Sequence, residues 1–185
     1  MLKTYRHIIV FIYLVVCATF VIAGDPPSLQ EQAASVIQNG WKAFEEDKKP
    51  DEALIHFNHA ILLDGQSGKA YFAAGYVSQA TNKPDAAIEY YTKSLEFQPD
   101  YASTHMNMGT IMLRKGKVDE SFQLFERART LAPERGQIYV KLALWHFLNE
   151  QFPEAWDAIK EARIRQAAIN EKFLEALKQQ LPEPK

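Results

Sequence analysis

Between residues 50 and 165 the apolar positions recur at helical spacings of three and four, and the whole pattern returns every 34 residues. Ala53, Ala87, Ser121 and Ala155 fall at successive steps of that period. Phe57, Tyr91, Phe125 and Ile159 make a second column, and Ala60, Ser94, Ala128 and Ala162 a third. Within each unit the three positions share one face of a helix. That face sets a large side chain between two small ones, so a neighbouring helix can come close and the large residue fills the space that remains. Trp41, Gly75, Gly109 and Ala143 form a fourth column on the preceding segment, and Pro99 and Pro133 a partial fifth.

The breaks between segments recur as well. Lys49-Pro-Asp-Glu-Ala53, Lys83-Pro-Asp-Ala-Ala87, Lys117-Val-Asp-Glu-Ser121 and Gln151-Phe-Pro-Glu-Ala155 each read as a helix start. Proline presets φ for a first turn, and acidic residues there complement the positive end of the helix dipole. Gly65, Pro99 and Pro133 close the helices at the other boundary. Each unit is therefore two helices, and the chain is predicted to be all-α.

A 34-residue unit of two helices with these residues resembles the tetratricopeptide repeat. In units of 34–67, 68–101, 102–135 and 136–169 the similarity is clearest in the second, through Tyr71, Gly75, Ala87, Tyr91 and Pro99, and in the third, through Met108-Gly109, Phe125, Ala128 and Pro133. The first unit has Gly40-Trp41 where Leu-Gly is usual, and the fourth has Ala167 in place of proline. Terminal units of solenoids are commonly atypical because one side faces solvent. The resemblance implies a right-handed superhelical solenoid of antiparallel helix pairs. Residues 25–33 are a linker or helix lead-in. Residues 170–185 are expected to be a capping helix, through the stripe Phe173, Leu174, Leu177 and Leu181, and a polar tail carrying Pro182 and Pro184. Continuation of the fourth unit's second helix is the alternative.

In such a solenoid the first helices line the concave side. The resemblance implies a peptide-binding groove built by Phe72 and Tyr76 of the second unit, by Met106, Asn107, Thr110 and Leu113 of the third, and by Val140, Leu144, Phe147 and Leu148 of the fourth. The first unit would contribute Gln38, Asn39, Lys42, Glu45 and Glu46, making that end polar. An apolar groove with an asparagine at its middle suits a peptide, whose backbone the amide can bond while its side chains fill pockets. The Lys, Asn and Arg set with which some members grip a C-terminal carboxylate is absent, so no such clamp is expected. The expected partner is a protein or peptide, with the chain's own terminal helix or a second copy of the chain as the alternative occupant.

The N-terminus reads as an address. Lys3 and Arg6 precede an uncharged apolar run from Ile8 to Gly24, and Val21-Ile-Ala23 offers the small residues a signal peptidase admits. Residues 1–24 are a signal peptide, cleaved after Ala23, or an uncleaved anchor. Leu14-Val-Val-Cys17 resembles a lipobox, but Val16 stands where Gly, Ala or Ser is usual and the apolar run continues beyond Cys17. Both readings export the repeats, to a periplasm or to the outer side of a membrane touched only through this segment.

Composition excludes more than it suggests. One cysteine in 185 residues rules out an intrachain disulfide and a multi-cysteine metal site. Lys+Arg 21 against Asp+Glu 23 leaves no basic excess for a nucleic-acid backbone, and loss of Lys3 and Arg6 would make the chain more acidic still. His56-Phe-Asn-His59 is the nearest approach to a metal pair, without the glutamate of a zincin pattern. His105 and His146 stand where the repeat usually has bulky apolar residues and are read as packing with a hydrogen bond. No phosphate loop or serine nucleophile elbow occurs, so neither catalysis nor a cofactor is expected.

Overall fold

Proline opens three of the second helices. Pro50, Pro84 and Pro153 occupy their first turns, where a missing N–H costs no hydrogen bond, and Asp51, Glu52, Asp85 and Glu154 add negative charge at the dipole's positive end. The computed structural model describes residues 26–184, which fold into α1 Leu29–Glu45, α2 Pro50–Leu63, α3 Gly68–Ala80, α4 Pro84–Phe97, α5 Ala102–Arg114, α6 Val118–Leu131, α7 Gly136–Leu148, α8 Phe152–Ile164 and α9 Glu171–Gln180. The signal segment 1–24, its cleavage point after Ala23 and Cys17 lie outside the described residues. Helices α1 to α8 pack as four pairs, α1 with α2 through α7 with α8, and each second helix packs on the first helix of the next pair. First helices also touch the first helix of the next pair, α1 on α3, α3 on α5 and α5 on α7. They make the inner layer of the stack.

The twelve residues of the three sequence columns are all completely buried. Phe57, Tyr91, Phe125 and Ile159 are the large side chains at the centre of each pair, flanked by Ala or Ser above and below. Ser94 and Ser121 fit the same small space only because their hydroxyls are satisfied, Ser94 with Thr104 at 3.0 Å and Ser121 with the Val118 carbonyl at 2.6 Å. Between pairs, His105 Nε2 hydrogen-bonds the Pro99 carbonyl oxygen at 2.8 Å, and the Tyr139 hydroxyl donates to that of Pro133 at 3.0 Å. A residue at the same repeat position thus ties down the same turn in two units.

The first pair departs from the predicted register. The turn after α3 returns the Lys83 N–H to the Ser78 carbonyl, that after α5 the Lys117 N–H to Met112, and that after α7 the Gln151 N–H to His146, each five residues back. After α1, Lys49 reaches six residues back to Ala43. One extra residue in this turn shifts α1 by one position, so Gly40, rather than Trp41, lies beneath the central ring. A Cβ on Gly40 would come 2.5 Å from Phe57 Cε1, matching 2.7 Å from Gly75 to Tyr91 and 2.8 Å from Gly109 to Phe125. The fourth column is corrected to Gly40, Gly75, Gly109 and Ala143.

Helix α1 begins at Leu29, inside the segment read as a linker or helix lead-in. Ser28 caps it, its Oγ accepting from Glu31 N–H while Glu31 Oε2 accepts from Ser28 N–H at 2.7 Å, a capping box. At the other end α8 stops after Ile164, and Asn170 starts α9 by accepting from the Lys172 and Phe173 amides at 2.9 and 3.3 Å. The terminal helix is separate from α8. It seats Leu174 and Leu177 on the last pair, and Trp156 Nε1 donates to the Leu181 carbonyl at 3.0 Å.

Candidate interaction groove

The one-residue shift in α1 changes what the inner layer presents. Gln38, Asn39, Lys42, Glu45 and Glu46, expected to make that end of the groove polar, are all solvent-exposed, but the side chains meeting α3 are Trp41 and Phe44. Trp41 lies edge-on to Tyr76 at 5.5 Å between ring centroids, and Phe44 edge-on to the same ring at 5.8 Å. Phe72 joins them, 6.2 Å from Tyr76 and 4.8 Å from Tyr101. Edge-to-face pairing of this kind holds large rings in place without closing them off from water. Trp41, Phe44 and Phe72 are half-buried and Tyr76 is 38% exposed, so units one and two share an aromatic shelf.

Beyond the shelf the predicted residues divide. Asn107 was expected to offer its amide to a ligand, yet it is only 8% exposed. It lies against the Tyr91 hydroxyl, whose proton goes to Gln79 Oε1 at 2.8 Å. Burial holds the Tyr91 hydroxyl well above the usual phenol pKa, so it remains a neutral donor. Thr110 turns its hydroxyl back to the Met106 carbonyl at 3.0 Å. Met106 and Leu113 are half-buried against the core of the last two units. Val140 and Leu144 are half-buried on α7. Phe147 packs edge-to-face on Phe152 at 5.8 Å and on Phe173 of α9 at 5.5 Å, so the terminal helix takes it out of the open groove. Leu148 beside it is 57% exposed.

Two cations of the inner layer went unremarked in the sequence. Arg114 ends α5 and Lys141 sits mid-way along α7. Neither forms an ion pair or side-chain hydrogen bond among the described residues, whereas nearby Lys115 and Lys117 pair with Asp85 and Glu120. Lys141 is half-buried, and burial first, with the charge of Arg114 second, lowers its pKa from the ordinary lysine value. The signal for them was their spacing, since both fall at inner-face positions of their units.

His56 and His59 are not part of this face, and among the described residues no group of three or more metal-ligating side chains forms around them. His146 shares a hydrogen bond with Gln151 Oε1 at 2.8 Å through Nδ1.

With this geometry in hand, the family model of the tetratricopeptide repeat matches residues 68–101, the helices α3 and α4 with their turns. Residues 68–101 are thus similar to a tetratricopeptide repeat. The chain is 26% identical over 129 residues to the tetratricopeptide repeat-containing protein trd-1 of Caenorhabditis elegans, covering 63% of this chain and 17% of that one. It is 29% identical over 115 residues to the protein O-mannosyl-transferase TMTC1 of Homo sapiens, covering 60% of this chain and 13% of that one. The chain thus spans less than a fifth of the length of either relative. Among solved structures, Pseudomonas aeruginosa PilF is similar with a TM-score of 0.72 at 21% identity, over 83% of this chain and 69% of that one. YrrB, described as a TPR protein with an unusual peptide-binding site, is similar with a TM-score of 0.62 at 18% identity, over 79% of this chain and 74% of that one. These likenesses show a tetratricopeptide-repeat solenoid, a fold that generally serves protein–protein interaction rather than catalysis.

Proposed function

We propose that the chain is a non-catalytic interaction module that holds a peptide or protein segment along its inner helices, on the extracytoplasmic side of a membrane. The observation that carries this reading is the aromatic shelf of Trp41, Phe44, Phe72 and Tyr76, apolar surface left open to solvent on the face formed by the first helices. The location rests on the charge-then-apolar pattern of residues 1–24. No helix among the described residues is long and apolar enough to cross a membrane, so residues 1–24 carry the proposed membrane contact. A crosslinking pull-down from the native host, comparing wild type with Tyr76→Glu/Leu148→Glu, tests the groove; both positions are exposed, and circular dichroism checks the fold. Capture by wild type and loss with the variant supports the reading. Unchanged capture moves recognition to the outer helices.

A second reading, a homo-oligomer in which another copy fills the groove, draws on apolar surface elsewhere. Ile55 and Leu62 stand 68% and 84% exposed on α2. Light scattering that shows a monomer at high concentration removes it.

A further inference from the structure

We infer that the outer face of α2, along Ile55, His59 and Leu62, rests on the lipid surface of the membrane that residues 8–24 enter. This rests on the membrane reading above, with residues 1–24 retained, and adds a second contact to it. The argument begins with the repeat itself. Ile55 and Leu62 are largely exposed and stand seven residues apart on one face of α2, with exposed His59 between them. The positions 34, 68 and 102 residues further on are exposed as well, and carry Glu89 and Glu96 in α4, Gln123 and Thr130 in α6, and Asp157 and Ile164 in α8. Only the first pair is apolar at both. From Ala53 to Leu63, α2 contains no Asp, Glu, Lys or Arg, whereas the equivalent stretches of α4, α6 and α8 each contain three or more. Packing does not explain the difference, because the buried column is the same in every pair.

Where the chain enters the fold decides what covers this face. The uncharged run ends at Gly24 and α1 begins at Leu29, and five residues of extended chain span at most about 18 Å. Helices α1 and α2 are antiparallel neighbours, so Leu29, itself 60% exposed, marks the end of the pair at which α2 finishes with Leu62 and Leu63. Packed helix axes lie about 8 to 10 Å apart. With Ile8 to Gly24 in a bilayer, Leu62 is thus held within about 30 Å of the hydrocarbon. A tether of this length makes a weak contact effectively intramolecular, at a concentration on the order of millimolar, so a few apolar side chains suffice. A run of 17 residues is short for a span, and two contacts hold a chain to a membrane better than one. Lys49, at the start of α2, is paired with Glu52, so the contact is apolar and needs no anionic lipid.

The test uses the full-length protein, residues 1–24 included, in vesicles of phosphatidylcholine, a lipid without net charge. A nitroxide spin label is placed through His59→Cys or, as control, through Gln123→Cys, each with Cys17→Ala, and flotation checks that the protein is vesicle-bound. The inference expects the label at position 59 to shift from collision with an aqueous nickel complex toward collision with oxygen dissolved in the lipid. The label at position 123 should stay aqueous. Adding Ile55→Ser/Leu62→Ser should return position 59 to water while flotation persists. An aqueous label at position 59 on floating protein overturns the surface contact and leaves the membrane reading standing. Dipolar broadening between labels at position 59, fading as the protein is diluted in lipid, assigns the face to a second copy and overturns the inference. Failure to float overturns the membrane attachment through residues 1–24 and the inference with it.

Discussion

Gly40 lies so close beneath the Phe57 ring that a Cβ added to it would stand 2.5 Å from Cε1. Phe57 is completely buried and cannot swing away into solvent. Gly40→Ala should therefore destabilise the protein by overpacking, by about 1 to 3 kcal/mol. Urea unfolding followed by circular dichroism measures this. A neutral Gly40→Ala would show that α1 does not hold the register described.

The large residue at the centre of each pair should dominate stability. Phe125 is fully buried between Ser121 and Ala128, and its ring fills the space that Gly109 leaves open. Phe125→Ala should cost about 3 to 5 kcal/mol. Gly109→Ala, adding volume to the same contact, should cost about 1 to 3 kcal/mol. Equilibrium denaturation of the two variants gives both numbers.

Lys48, Asn82, Gly116 and Glu150 adopt φ of 57°, 59°, 75° and 59°, one left-handed residue in the turn of every pair. Only one of the four is glycine. Glu150→Gly should be neutral to stabilising, by up to about 1 kcal/mol, because the left-handed strain of a side chain offsets the extra entropy of glycine when unfolded. Gly116→Ala should be destabilising by a similar amount. Thermal melts should show Gly116→Ala lowering the melting temperature and Glu150→Gly leaving it unchanged or raised.

Much of this was legible in the sequence because the core demanded it. The columns through Phe57, Tyr91, Phe125 and Ile159 lie on second helices, whose spacing of 34 is uninterrupted, and packing leaves no freedom in what stands there. The first unit misled for a local reason. One extra residue in the turn after α1 shifts that helix, so a constant period compares Trp41 with Gly75 and assigns the inner face to Lys42 instead of Trp41. The fate of Phe147 could not be read from its repeat position, because Phe173 reaches it from α9. Asn107 lies on inner helix α5, but its neighbour Tyr91 comes from α4, a contact that only the stacking of pairs reveals.

Lys141 offers a test by pH. Its pKa is lowered in the folded protein, by burial and then by Arg114, so its charged form costs stability at neutral pH. That cost is fully present below the folded pKa and fades as pH rises toward the ordinary value of 10.5. Lys141→Met should raise the melting temperature at pH near 7, with the gain shrinking as the solution becomes alkaline. A variant less stable than wild type at neutral pH would show that the charged form of Lys141 is held by a favourable contact and contradict this account.

The central claim is that recognition occurs on the inner helices. The most direct measurement is backbone hydrogen exchange on the full-length protein with and without the segment it captures. Protection concentrated in α1, α3, α5 and α7, with the signal strongest around Trp41, Tyr76 and Arg114, is the result expected. Protection confined to α2, α4, α6 and α8 would place the partner on the outer face and contradict it.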